Sequence, residues 1–341
     1  MEIQKNKKRA WQLIFLVLLV IGTILIIKQQ RDLPYQHDEG FVFGTVYHIT
    51  YQHHTNLQQG IEAELQKVDR ALSTFNKNST ISKVNRNESV VLDDMFTDVF
   101  TLGERIAKET DGAFDMTVAP LVNAWGFGFK ASPPPTRKAI NDLKNIVGYQ
   151  KIRLRAGKIV KDNPRIMLDC SGIAKGYGVD VVAAFLKKQG VKNYIVEIGG
   201  EIVSAGINEK RLPWKIGVTK PVDDSVSVDQ ELQTVLNVTD KAMATSGNYR
   251  NFYYKNGKKL AHTIDPKTGY PVQHSILSAT VLADHCATAD AYATAFMVMG
   301  LDKTKLLLRK HPELMVYIIY ADKKGQNQVW YSPSMKEKIV E

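Results

Sequence analysis

Between Trp11 and Ile27 the chain runs WQLIFLVLLVIGTILII, seventeen residues without a charge. As a helix this run spans about 26 Å, which with Lys28 reaching toward the headgroups predicts one transmembrane helix over 11–27. Beyond it the pattern turns amphipathic. Ile61, Leu65, Val68 and Leu72 recur at helical spacing, and Asp94 to Lys108 does the same. After the stiff connector Ser132 to Pro135, a third helix is predicted from near Thr136 to Gly148, a usual stop residue. Further helices are predicted after Asp169, ending at Gln189 before Gly190, and from Ala289 to Gly300. Short apolar runs between turn residues predict strands at 151–155 and 158–161 around Ala156-Gly157, at 193–198, 214–219 and 233–238, at 249–254 and 258–262 around Asn256-Gly257, and at 276–283 and 314–320. Asp- and Ser-rich 221–231 reads as an exposed loop. Helices and hairpins without strict strand-helix alternation give an α+β fold of mixed helices and largely antiparallel sheets, in two intimately joined lobes, preceded by the N-terminal helix.

Charge sharpens the N-terminal reading. The 341 residues carry a formal +10, and residues 1–31 hold six positive charges against one negative, which is half of the excess. The basic cluster Lys5 to Arg9 outweighs Lys28 and Arg31, so the positive-inside rule puts the N-terminus in the cytoplasm. The flank after Ile27, Lys28-Gln29-Gln30-Arg31-Asp32, offers no small-residue cleavage site, which favours an anchor over a cleaved signal. The expected organisation is a cytoplasmic basic tail over 1–10, the anchor over 11–27, a polar stalk over 28–39 and a globular domain over 40–335. That domain would sit on the extracytoplasmic side of the inner membrane. A net +5 spread over the last 310 residues is too thin to argue for nucleic acid. Ample apolar content with only two cysteines excludes a disordered chain and a disulfide-stapled miniprotein.

Four segments carry candidate chemistry. In ADAYATAFMVMG, Asp290 and Thr294 stand four apart on one helix face, either as hard oxygen ligands that suit Mg²⁺ or as a dipole complement with a packed neighbour. In DCSGIAKGYGVDVV, turn amides and Lys175 would receive an anion, or the glycines merely pack a helix on a strand. The spacing is not that of a Walker A loop, because Gly172 lies only three residues before Lys175. His262, ahead of the turn Asp265 to Gly269, is a core histidine or a general base. In TDGAFDMTVAPLVNAWGFG, the cluster from Trp125 to Phe129 reads as a wall for a flat ring, with core packing an equal account of Phe114 and Trp125. Gly199-Gly200-Glu201 after YIVEI marks backbone that must leave space.

Taken in order, Gly44-Thr45, Ser73 to Asn85, Asp111 to Asp115, Asp169 to Asp180, Gly199-Gly200, Thr245 to Gly247, His262 with Asp265 to Gly269, and Asp290 with Thr294 resemble the ApbE family of flavin transferases. The resemblance implies an enzyme that moves FMN from FAD onto a threonine of a redox protein, with Mg²⁺ required and AMP released. It implies that Asp290, Thr294 and the Gly172 carbonyl hold the metal. FAD would lie in a cleft between the lobes, along Phe43, Phe75, Ala113, Phe114, Asp115, Asp169 and Lys175. Phe43 and Phe75 stand where members often have Met and Tyr. His262 would be the catalytic base. The acceptor would be an extracytoplasmic or membrane redox subunit bearing D/S-G-A-T-S/T. A Mg²⁺-dependent FAD hydrolase and a tethered flavin carrier are the alternatives, since the same pocket serves all three. If the Asp169 and Asp290 segments meet, Cys170 and Cys286 become neighbours, either as a disulfide or, as expected, as buried free thiols.

Overall fold

The computed structural model describes residues 11–24, 33–128, 133–221, 231–248, 252–255 and 258–340. The N-terminal tail, residues 25–32, Phe129, nearly all of the loop expected at 221–231, and the turn Asn256-Gly257 lie outside the described residues. Residues 11–24 form helix α1, whose apolar side chains are exposed; among the described residues no helix is long and apolar enough to cross a membrane.

Helices α2 (Gln58–Leu72) and α4 (Asp94–Glu109) follow the predicted periodicity, and between them lies the short helix α3 (Thr80–Asn85), which was not expected. Ile61, Leu65, Val68 and Leu72 all face inward on α2. Asp93 caps α4 by accepting the Phe96 amide. Then come α5 (Ala119–Ala124) and α6 (Arg137–Lys144). Thr136 caps α6 as expected, but the helix stops four residues before Gly148. There the Lys151 ammonium gathers the carbonyls of Lys144, Asn145 and Val147 at 3.1, 2.9 and 2.8 Å, doing the work of a C-terminal glycine. Next are the hairpin β3 (Ile152–Arg155) and β4 (Lys158–Lys161), turned by Ala156 and Gly157 at φ +48° and +69°, and helix α7 (Ala174–Lys188).

One eight-stranded sheet runs through the molecule, and every pairing in it is antiparallel. In chain order it contains β1 (Tyr35–Val42), β2 (Thr45–Gln52), β5 (Tyr194–Ile198), β6 (Glu201–Ala205), β9 (Ala242–Gly247), β12 (Ile276–Ala283), β13 (Met315–Ala321) and β14 (Asn327–Tyr331). That is also their order across the sheet. The edge strand β1 takes up Tyr35 to Glu39, which the sequence pattern had assigned to the stalk. Hairpins β7 (Lys215–Thr219) with β8 (Leu232–Asn237), and β10 (Phe252–Lys255) with β11 (Lys258–Ala261), stand outside the sheet.

Helix α8 (Cys286–Met299) packs on β9 and β12, and α7 packs on β5 and β6. α9 (Leu301–Leu308) follows. On the opposite face Val218 and Leu236 of β7 and β8 join Ile202, Met243, Leu282 and Ile319. Neighbouring residues of one strand therefore serve both cores: Val281 meets the helices and Leu282 the hairpin. This two-sided burial explains why β12 reads as an unbroken apolar run. α8 is buried almost all round, and its alanines let it lie close to the sheet. Gly176 of α7 makes the closest approach: a Cβ there would come within 2.4 Å of the Cys286 carbonyl oxygen. Asp180 of α7 accepts the amides of Cys286 and Ala287 at 2.8 and 2.9 Å, so α8 begins three residues earlier than its own pattern predicts.

Candidate active site

The sheet has a seam. β5 and β6 pair over five positions and β9 and β12 over six, but β6 and β9 meet only at Ile202 with Met243 and Val203 with Ala242. Past that point the strands part, and a cleft of about 490 Å³ opens beside them. Gly199 and Glu201 line it from one strand system, Thr245, Ser246 and Gly247 from the other, and Asp290 and Thr294 from α8. The segment 167–175 and the loop around Phe114 complete the floor, while Phe75, Phe127 and His262 stand in its walls.

Ten of the eleven residues expected at the site meet here: Phe75, Ala113, Phe114, Asp115, Asp169, Gly172, Lys175, His262, Asp290 and Thr294. Phe43 does not line the cleft. With Gly44 it forms the β1–β2 turn at positive φ, and its ring packs over Gly178 of α7, where a Cβ would lie 2.7 Å from it. Phe75 is 77% exposed, an apolar ring set at the cleft. His262 stands edge-on to Phe127, ring centroids 6.4 Å apart. Trp125 is core: it is buried and its indole N–H donates to the Gly269 carbonyl at 2.8 Å, so of that aromatic cluster Phe127 is the wall.

Asp115 and Asp169 of the floor are held differently from what ligand binding alone would require. Asp115 Oδ1 accepts the Thr117 amide and hydroxyl at 2.8 and 2.7 Å, and Oδ2 accepts the Tyr149 amide at 2.8 Å. Burial pushes its pKa up against those bonds, and the carboxylate is committed to shaping the loop. Asp169 Oδ1 accepts the Ser171 amide and hydroxyl at 2.8 and 2.5 Å. Asn85 aligns this segment by bonding both the N–H and the C=O of Leu168, at 2.7 and 2.9 Å.

Three charges meet on the floor. Lys175 Nζ lies 2.5 Å from Glu201 Oε2, and Asp290 is buried with Gly176 N donating to Oδ2 at 3.1 Å. Burial raises the Glu201 pKa to about 7, with Asp290 adding to the rise and Lys175 opposing it. Burial also raises Asp290, again against Lys175. Burial opposes the charge on Lys175, but the carboxylates of Glu201 and Asp290 outweigh it and hold its pKa above the usual value. Two carboxylates against one ammonium leave the floor short of positive charge, which suits a cation or a second donor.

Thr294 Oγ1 lies 3.3 Å from Ser246 Oγ, and the Gly172 backbone presses on it: a Cβ at 172 would come within 3.0 Å of Oγ1. A carboxylate, a hydroxyl and adjacent backbone form a hard-oxygen set that fits Mg²⁺, an ion that completes its shell with water and phosphate. Among the described residues no three His, Cys, Asp or Glu cluster as a closed metal cage. Cys170 and Cys286 are free and buried, their Sγ atoms facing Met116 Sδ and the Met243 carbonyl, and burial raises both thiol pKa values.

Sequence reasoning gave Glu201 only a backbone role and did not single out Ser246 by itself. Nothing in the sequence marks Glu201 as inward, since a glutamate after a glycine turn is ordinarily exposed and only its pairing with Lys175 buries it.

The ApbE family model matches residues 43–318. A curated relative from Vibrio cholerae, FAD:protein FMN transferase, is 37% identical over 318 residues, covering 89% of this chain and 94% of that protein. One of the same name from Haemophilus influenzae is 38% identical over 319 residues, covering 89% and 90%. Among solved structures, the flavin transferase ApbE from Vibrio cholerae superposes with a TM-score of 0.80 at 36% identity, covering 90% of this chain and 99% of that one. The apo flavinyl transferase ApbE of Pseudomonas stutzeri gives 0.79 at 28% identity, covering 89% and 96%.

Proposed function

The chain belongs to the ApbE family, and from that membership together with the charged floor of its cleft we propose that it transfers FMN from FAD to a threonine hydroxyl of a target redox protein, releasing AMP. The observation that carries this reading is the meeting of Asp290 and Thr294 of α8, Lys175 of α7 and His262, from three separate segments, in one cleft large enough for part of a dinucleotide.

Mg²⁺, held by Asp290, Thr294 and the Gly172 backbone, would supply charge neutralisation on the pyrophosphate. The remaining work falls to the chain. Lys175, fixed by Glu201, presents an ammonium to an anionic substrate. Phe75 and Phe127 offer apolar surface to a flat ring system. His262 accepts the proton of the acceptor threonine as its oxygen bonds to the phosphorus on the riboflavin side, and the bond to the AMP phosphate breaks. The acceptor is an extracytoplasmic or membrane-bound redox subunit bearing a D/S-G-A-T-S/T segment.

The same reading makes residues 11–27 a single-pass anchor with the domain on the extracytoplasmic side. It is supported by the apolar face of α1 all round and by the basic residues on both flanks. To test the activity, the full chain in detergent is given FAD, Mg²⁺ and an acceptor carrying the motif. A covalent flavin band on a denaturing gel is expected, absent with Asp290→Ala; a wild-type lane without the band refutes the proposal.

A further inference from the structure

Glu201 opens β6 directly after the turn Gly199-Gly200. Gly199 sits at φ +60°, and a Cβ there would come within 2.7 Å of Thr45 Cγ2, so the turn is pressed against β2. This registers Glu201 opposite Ile198 and turns its carboxylate inward, where it is 3% exposed. A carboxylate so placed needs a partner, and Lys175, from the first turn of α7, supplies it at 2.5 Å.

Lys175 faces a second anion, Asp290, yet its ion pair among the described residues is with Glu201 alone. Among the described residues Asp290 in turn has one hydrogen bond, from the Gly176 amide to Oδ2. We propose that Glu201 is a positioning residue: it draws the Lys175 ammonium away from Asp290, so that Asp290 keeps an oxygen for a divalent cation while Lys175 faces the anionic substrate. A lysine is long and flexible, and in a floor with a single carboxylate it would close on that carboxylate. With two, the closer one takes the ammonium and the other stays open. The inference rests on the reading of Asp290 as a metal ligand.

The test is Mn²⁺ binding by the full chain in detergent without FAD, followed by the electron paramagnetic resonance signal of free Mn²⁺. Wild type is expected to show a site that Asp290→Asn removes. Glu201→Gln, which keeps the size and loses the charge, should weaken that site roughly tenfold or more, the range seen when residues behind a metal ligand are changed. The double variant Glu201→Gln/Lys175→Met should return to within about twofold of Lys175→Met alone, because the competing ammonium is gone. A merely structural Glu201 would leave the double variant as weak as Glu201→Gln. That result, or a Glu201→Gln site as tight as wild type, overturns the proposal. Where Glu201→Gln does not fold, Glu201→Met, neutral and of similar length, carries the same expectations. If wild type shows no site that Asp290→Asn removes, the reading of Asp290 fails, and the inference with it.

Discussion

The proposed function gives His262 the chemical step and Phe75 the binding of the flavin, so their substitutions should separate. His262→Ala removes a proton acceptor from the wall of the cleft and leaves the charged floor intact. FAD affinity, measured by fluorescence quenching, should change little, while single-turnover transfer falls by about 10²-fold or more. Unchanged transfer would remove His262 from the mechanism. Phe75→Ala takes away an exposed ring and should weaken FAD binding roughly 2- to 10-fold, the worth of one aromatic contact. Equal affinity would mean that the ring does not stack. A third residue tests electrostatics away from the cleft. Half-buried Lys161 donates to the Val84 carbonyl and Asn87 Oδ1, and burial lowers its pKa from 10.5 to about 8. Between those values the unfolded chain holds a proton that the folded chain has released, so this residue makes stability rise with pH from about 8 to 10.5. The difference between urea midpoints at pH 7.5 and 9.5 should be more positive for wild type than for Lys161→Met; equal differences would contradict it.

At the scale of elements, the start of α8 decides where Asp290 sits, and α7 decides the start of α8. Gly176→Ala sets a methyl against the Cys286 carbonyl and should cost about 1–3 kcal/mol by urea denaturation, the usual penalty of overpacking. Asp180→Ala strips the acceptor from two α8 amides and should cost about 1–2 kcal/mol. Wild-type midpoints in both would show that α8 holds its place without α7. This dependence also marks the limit of what the sequence discloses. Periodicity located α2 and α4, because each buries a face that its own residues define. It could not place the ends of α6 and α8, which Lys151 and Asp180 fix from other segments. β9, with the sequence AMATSG, has little strand character of its own and is a strand through its pairing with β6 and β12. Motif order named ten residues that the fold brings to one cleft. It missed what Glu201 does, because the partner of a buried charge is a fact of three dimensions.

Across the whole molecule, one antiparallel sheet carries two cores, and the cleft lies where its halves lose contact between β6 and β9. Lining residues from both halves meet there, with the segment 167–175 and the loop around Phe114 closing the floor. The basic excess that a whole-chain count would assign to nucleic acid is half N-terminal, where under the proposed anchor it would set topology. The measurement that bears most directly on the central claim is mass spectrometry of an acceptor protein incubated with the full chain, FAD and Mg²⁺, alongside quantitation of the nucleotides released. FMN linked through phosphate to the motif threonine, with one AMP formed per label, is the result predicted. An unmodified acceptor with AMP and free FMN in equal amounts, or with FAD left intact, would contradict it.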